Sequence, residues 1–149
     1  MCQRRERGAE TQAIGVTKGG RNSKIHAVVD EECRPWVFVL TSGNTADCTV
    51  AETCVSLIPG IAGLVADNGY DTDAFRAWLK EHQIKTIIPG KSNRKKRIRY
   101  DKQAYKGRNV VERCFCRLKD WRRIGTRYDK LARNYFSALC FVAMLAYWL

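Results

Sequence analysis

"IAGLVADNGYDTDAFRAWLKEHQIKTIIPG", residues 61–90, decides the fold class. A short apolar run from Ile61 to Ala66 ends in Asp67 and a Gly-containing turn. Asp71 stands where a side chain can cap a helix over residues 72–82. "KTIIPG" (85–90) then reads as a second buried strand, closed by Pro89-Gly90. Upstream, "SKIHAVVD" (23–30) and "RPWVFVLTS" (34–42) are β-branched and aromatic-rich and flank a polar "EEC", the pattern of a β-hairpin. "TADCTVAETCVSLI" (45–58) repeats apolar residues at helical spacing and stops before Pro59-Gly60. Hairpin strands followed by helix, strand, helix and strand predict an α/β domain with a mixed sheet flanked by helices. Residues 1–22 show no sustained period and read as an arm or loop, leaving one domain over 23–149.

Charge divides the chain sharply. Residues 1–90 hold 10 Lys/Arg against 11 Asp/Glu, whereas residues 91–130 hold 16 against 4. Nearly all of the net charge of +12 therefore lies in one block, which points to a polyanion, nucleic acid first and an anionic membrane second. Within it "KSNRKKRIRYDK" (91–102) has no apolar period and reads as a basic loop. The residues nominated to touch DNA are Lys91, Arg94, Lys95, Lys96, Arg97, Arg99, Arg113, Arg117, Arg122 and Arg123.

Other classes fall away. Seven cysteines at scattered spacings, with no signal peptide, read as reduced thiols of a cytosolic protein, and Cys114-x-Cys116 has no second ligand pair at zinc spacing. "FSALCFVAMLAYWL" (136–149) is too short to span a bilayer and reads as a buried helix. His26 and His82 lack partners at ligand spacing and read as structural. No Walker-type or dinucleotide glycine fingerprint is present.

"YKGRNVVERCFCRLKDWRRI", residues 105–124, holds seven Lys/Arg and two acids. On a helical wheel with Tyr105 at 0°, Arg108, Lys119 and Glu112 fall at about 300°, 320° and 340°. Val110, Val111, Cys114, Phe115, Leu118 and Trp121 fill the neighbouring arc from about 140° to 280°, the side expected to pack on a core. Arg108–Glu112 at i,i+4 is by itself an ordinary helix pair. Its alignment with Tyr105 and Lys119 beside the apolar stripe asks for more. An acid at a strand end, Asp67, is either a turn or capping residue or part of a site.

The spacing Tyr105-x2-Arg108-x3-Glu112-x6-Lys119 resembles the Y-x2-R-x3-E-x6-K signature of DDE transposases of bacterial insertion sequences. "ADNGYD", "NVVERCFCRLKDWRRIGTRYDK", "GVTKGGRNSKIHAVVD" and "LTSGNTAD" are similar to the insertion-sequence-five branch. The resemblance runs from about Gly8 onward. It implies a ribonuclease-H-like domain in which Asp67 and Glu112 are the second and third catalytic acids and metal ligands. Tyr105, Arg108 and Lys119 would support them. It also implies Mg²⁺ or Mn²⁺ as cofactor, DNA at insertion-element ends and targets as partner, self-assembly as an option, and a bacterial, nucleoid-associated location. By motif the first acid and the first strand fall upstream of Met1, since Asp30 ends the following strand and Glu6 and Glu10 lie in the arm. The chain then fits either the downstream frame of a frameshifted transposase or a truncated remnant, inactive alone. Loss of that central strand would leave the strand at 23–30 with an unpaired edge. A hydrolytic nuclease, a non-enzymatic basic DNA-binding remnant and an interfacial membrane protein are the competing readings.

Overall fold

The computed structural model describes residues 12–149. The elements run β1 (Gly15–Thr17), β2 (Gly20–Val29), β3 (Pro35–Ser42), α1 (Asp47–Ser56), β4 (Gly63–Val65), α2 (Asp73–Glu81), β5 (Lys85–Ile87), α3 (Lys102–Tyr105), α4 (Asn109–Lys119), α5 (Arg122–Gly125) and α6 (Ala132–Tyr147). The arm expected over 1–22 lies outside the described residues as far as residue 11. From Gly15 the chain is already in a strand that pairs with the start of β2, so residues 15–17 and 20–22 are not loop.

The hairpin forms as the sequence predicts. β2 and β3 pair antiparallel from Ser23↔Ser42 to Val29↔Pro35, with an irregularity at Val28/Val29. β4 and β5 pair parallel, Gly63↔Lys85 through Val65↔Ile87. The expected mixed sheet is not continuous. The structure holds a three-stranded antiparallel sheet and a separate two-stranded parallel one. Among the described residues, β4 pairs only with β5, and residues 23–29 of β2 only with β3.

Each sheet has its own apolar cluster. α4, α5 and α6 cover the antiparallel sheet through Cys114, Leu118, Ile124, Leu139, Val142 and Ala143, against Ile25, Val29 and Phe38. α1 and α2 cover the parallel pair through Ala51, Val55, Phe75, Leu79 and Ile88, with Leu64 and Ala66 beneath. Phe75 and Leu79, one turn apart on α2, are 1% and 0% exposed. The apolar C-terminal helix, expected to be buried, is buried along one side only, with Phe141 and Met144 exposed, and its tyrosines tie it down: Tyr135 donates to the Ile124 carbonyl at 2.9 Å and Tyr147 to the Cys114 carbonyl at 3.3 Å.

Between the two sheets lies a cavity of about 940 Å³. His26 to Glu31 of β2 and its turn line one side, and Gly63 to Asp67 the other. α1 and the start of α4 close it with Ala51, Val55, Val110 and Val111. Among the described residues, 23–29 of β2 and β4, each paired with one strand, thus both line one slot.

Candidate active site

Asp67 follows β4 in extended conformation and accepts from the Asn68 N–H at 2.6 Å, capping a short 3₁₀ turn, Asn68–Tyr70. The capping reading of this residue is therefore correct. Its second oxygen nevertheless faces Arg108, whose Nη1 stands 3.6 Å away, too far for a hydrogen bond and close enough for an ion pair. Arg108 Nη2 donates to Glu112 Oε1 at 2.9 Å. One guanidinium therefore bridges a carboxylate from the parallel pair of strands and one from α4. Both carboxylates remain more than half exposed, at 54% and 57%, as a group meant to meet a ligand must be.

Tyr105 supports this bridge from below. Its ring centre is 5.9 Å from the Arg108 guanidinium carbon, and Tyr100 packs edge-on against it at 5.3 Å. Burial pushes the Tyr105 hydroxyl pKa up; Arg108 opposes the shift, while Asp67, Tyr100 and Glu112 add to it. The helix that carries these groups is not the single run the wheel assumed. α3 ends at Tyr105, a 3₁₀ turn spans Lys106–Arg108, and α4 stops at Lys119. The tighter turn, at Gly107, still leaves Tyr105, Arg108 and Glu112 together. Lys119 is exposed two turns beyond Glu112 and joins none of these contacts among the described residues. Trp121, placed on the buried arc by the wheel, is 46% exposed, because the chain leaves helical geometry there and Trp121 caps α5 in extended form.

The basic block divides by what its side chains touch. Lys95, Lys96, Arg97, Arg99 and Arg113 are exposed with no ion pair among the described residues. Arg94 pairs with Asp71 at 2.6 Å and Asp73 at 2.7 Å, and Arg123 with Asp129 at 2.9 Å. Arg117 lies 4.7 Å over the Tyr147 ring, and Arg122 donates to the Tyr128 hydroxyl at 3.1 Å. Lys91 gives its backbone N–H to Asp71 at 2.7 Å.

Asp71 itself was missed by sequence reasoning. The α2 cap is Thr72, whose hydroxyl accepts from Phe75 N–H at 3.2 Å. Asp71 is instead wholly buried between Arg76 and Arg94, each at 2.6 Å. Its burial alone would raise the carboxyl pKa; the hydrogen bonds from Arg94, Lys91 N–H and Arg76 outweigh it and hold that pKa well below the usual carboxylate range. Nothing local announces this, since Arg94 arrives from a distant loop.

The histidines are structural in their contacts: His26 bonds the Thr41 hydroxyl at 2.8 Å with its pKa lowered by burial, and His82 stacks on Trp78 at 4.1 Å. Among the described residues, no three His, Cys, Asp or Glu side chains gather as a metal cluster, and no helix is long and apolar enough to cross a membrane. Asp67 and Glu112 offer hard oxygen donors, which suit Mg²⁺, an ion that needs only one or two carboxylates when phosphates supply the rest. The donor chemistry fits.

Residues 5–149 match the family described as "Transposase DDE domain". The chain is 34% identical over 109 residues to the "Putative transposase for insertion sequence element IS6501" of Brucella ovis, covering 72% of this chain and 84% of that protein. It is 31% identical over 121 residues to the "Putative transposase for insertion sequence element IS402" of Burkholderia cepacia, covering 74% of this chain and 55% of that protein. No solved structure matches it. The chain belongs to the DDE transposase family.

Proposed function

From that membership we propose that the chain is the larger part of a transposase catalytic domain, acting in metal-dependent DNA strand cleavage and strand transfer at insertion-sequence ends. The observation that carries this reading is the meeting of Asp67 and Glu112 across Arg108. The Y-R-E-K spacing and the insertion-sequence-five likeness support the same assignment, with Asp67 and Glu112 as second and third acids. Both would hold Mg²⁺ or Mn²⁺. When bound, such an ion activates the attacking oxygen and stabilises the leaving one in a phosphoryl displacement.

The rest is the work of this chain's own groups. Arg108 offsets half of the charge of the two carboxylates while no DNA is present and has a guanidinium fork suited to a phosphate once it is. Tyr105 keeps that fork in place. Lys95, Lys96, Arg97, Arg99 and Arg113 hold the backbone through contacts that carry no sequence information. Lys119 is a further phosphate contact along the same helix.

The first acid enters, in this reading, on a strand that this sequence does not contain. The slot between β2 and β4 supports that: among the described residues each of these stretches has one strand partner, and the largely apolar walls suit a strand buried on both faces. The chain alone is then inactive in cutting, and joining it to the upstream segment restores activity. The site of action is the bacterial nucleoid.

The test uses the chain fused to its upstream segment. Glu112→Gln abolishes metal-dependent cutting of insertion-end DNA and keeps DNA affinity within a few-fold. Unchanged cutting contradicts the assignment. A fused chain that binds DNA without cutting in either form favours a non-enzymatic binder.

A further inference from the structure

Asp71 is the only buried carboxylate among the described residues, and the mechanism does not use it. Its Oδ1 accepts from Arg76 Nε at 2.6 Å, and its Oδ2 accepts from Arg94 Nε at 2.6 Å and from the Lys91 N–H at 2.7 Å. Arg76 continues to the Ile88 carbonyl at 2.7 Å, at the end of β5. Arg94 continues to Asp73, in the first turn of α2. The buried acid thus ties the start of the basic loop to both the strand it leaves and the helix beside it.

The loop is fastened again further on. Ile98 folds back on Gly90, its Cβ 3.4 Å from where a Gly90 side chain would begin. Lys85 pairs with Asp101 at 3.1 Å, and Asp101 caps α3 through the Gln103 and Ala104 N–H groups. Between these fastenings stand Lys95, Lys96, Arg97 and Arg99, all exposed.

We propose that Asp71 is a positioning residue for DNA: it clamps Lys91 and Arg94 so that Lys95, Lys96, Arg97 and Arg99 form one preset phosphate-contacting surface, with Arg94 a tether and not a contact. This rests on reading the basic block as the DNA-binding surface. A preset loop loses less freedom on binding than a floppy one carrying the same charge.

The proposal makes a prediction opposite in sign to simple electrostatics. Asp71→Asn removes a negative charge from a strongly basic protein, which by itself tightens binding to a polyanion. The clamp predicts weaker binding, by about tenfold or more, to a short labelled DNA duplex. Because each phosphate contact contributes roughly 0.9 to the log–log salt slope, the slope falls by more than one contact's worth. Glu81→Gln makes the same charge change at an exposed side chain outside the clamp and leaves affinity equal or tighter. Without DNA, trypsin cuts the 95–97 segment faster in Asp71→Asn than in the parent. An Asp71→Asn chain that is folded, equally resistant to trypsin and as tight on DNA overturns the proposal.

Should Asp71→Asn not fold, Arg94→Gln and Lys95→Gln decide, since they remove equal charge. The clamp predicts that Arg94→Gln loses more affinity and opens the loop to trypsin, whereas equal losses and equal resistance overturn it. A parent chain that fails to bind DNA contradicts the reading of the basic block. The trypsin comparison then still decides whether Asp71 clamps the loop.

Discussion

Arg108 sits between two carboxylates that would otherwise repel each other, and its loss changes the site in a definite direction. In the fused chain, Arg108→Ala is expected to lower cutting at least tenfold while leaving the fold within about 1 kcal/mol, because exposed ion pairs stabilise little. Steady-state cutting and thermal melts check this together. Asp71 behaves oppositely, since both its partners are largely buried with it. Its folded pKa is depressed, so its stabilising contribution is present above the ordinary value of 3.8 and is lost as pH falls below it. Thermal melts of the parent should therefore drop on acidification past about pH 4, and a folded Asp71→Asn chain should start lower and drop less. The places of Asp67 after a strand and of Glu112 one turn from Arg108 were legible in the sequence because a strand end and a helical spacing are local patterns. Asp71 was not, because its decisive partner comes from a loop whose path only the tertiary structure fixes.

At the scale of elements, the strands and most helices were legible from apolar periodicity, and their ends were not. α2 ends with Gln83 at φ 58, a left-handed conformation that closes the helix while the Ile84 N–H bonds the Leu79 carbonyl at 2.9 Å. Glycine adopts that conformation without strain, so Gln83→Gly should raise stability by about 0.5–1 kcal/mol in urea unfolding. An unchanged midpoint would contradict the strain argument. The long helix expected from about Asn109, with Tyr105 as the earlier option, to about Ile124 does start at Asn109, after a 3₁₀ turn at Lys106–Arg108, but it stops at Lys119 because Trp121 turns out of the apolar seam. The wheel was still informative where α4 is regular: Cys114 and Leu118 are fully buried and Glu112 is not. Leu118→Ala should cost about 2–5 kcal/mol, as buried leucines do.

For the molecule as a whole, the missing continuity between the two sheets is the main departure from the mixed sheet the sequence predicted. Each sheet has its own cluster, and among the described residues 23–29 of β2 and β4, which line the slot between them, each pair with only one strand. Such edges invite pairing with other chains. Trp36, Leu57, Met144 and Trp148 add exposed apolar surface near one another, with Trp36 and Trp148 edge-to-face at 5.6 Å. The isolated chain is therefore expected to self-associate with rising concentration in sedimentation, and fusion to the upstream strand should reduce this. Equal association in both forms would assign it to the tryptophan surface instead.

The most direct measurement compares the isolated chain and the fused chain on the same insertion-end DNA, with and without Mg²⁺. The account predicts metal-dependent cutting by the fused chain, none by the isolated chain, and DNA binding by both. Metal-dependent nicking by the purified isolated chain would contradict it, because Asp67 and Glu112 would then suffice without a third acid.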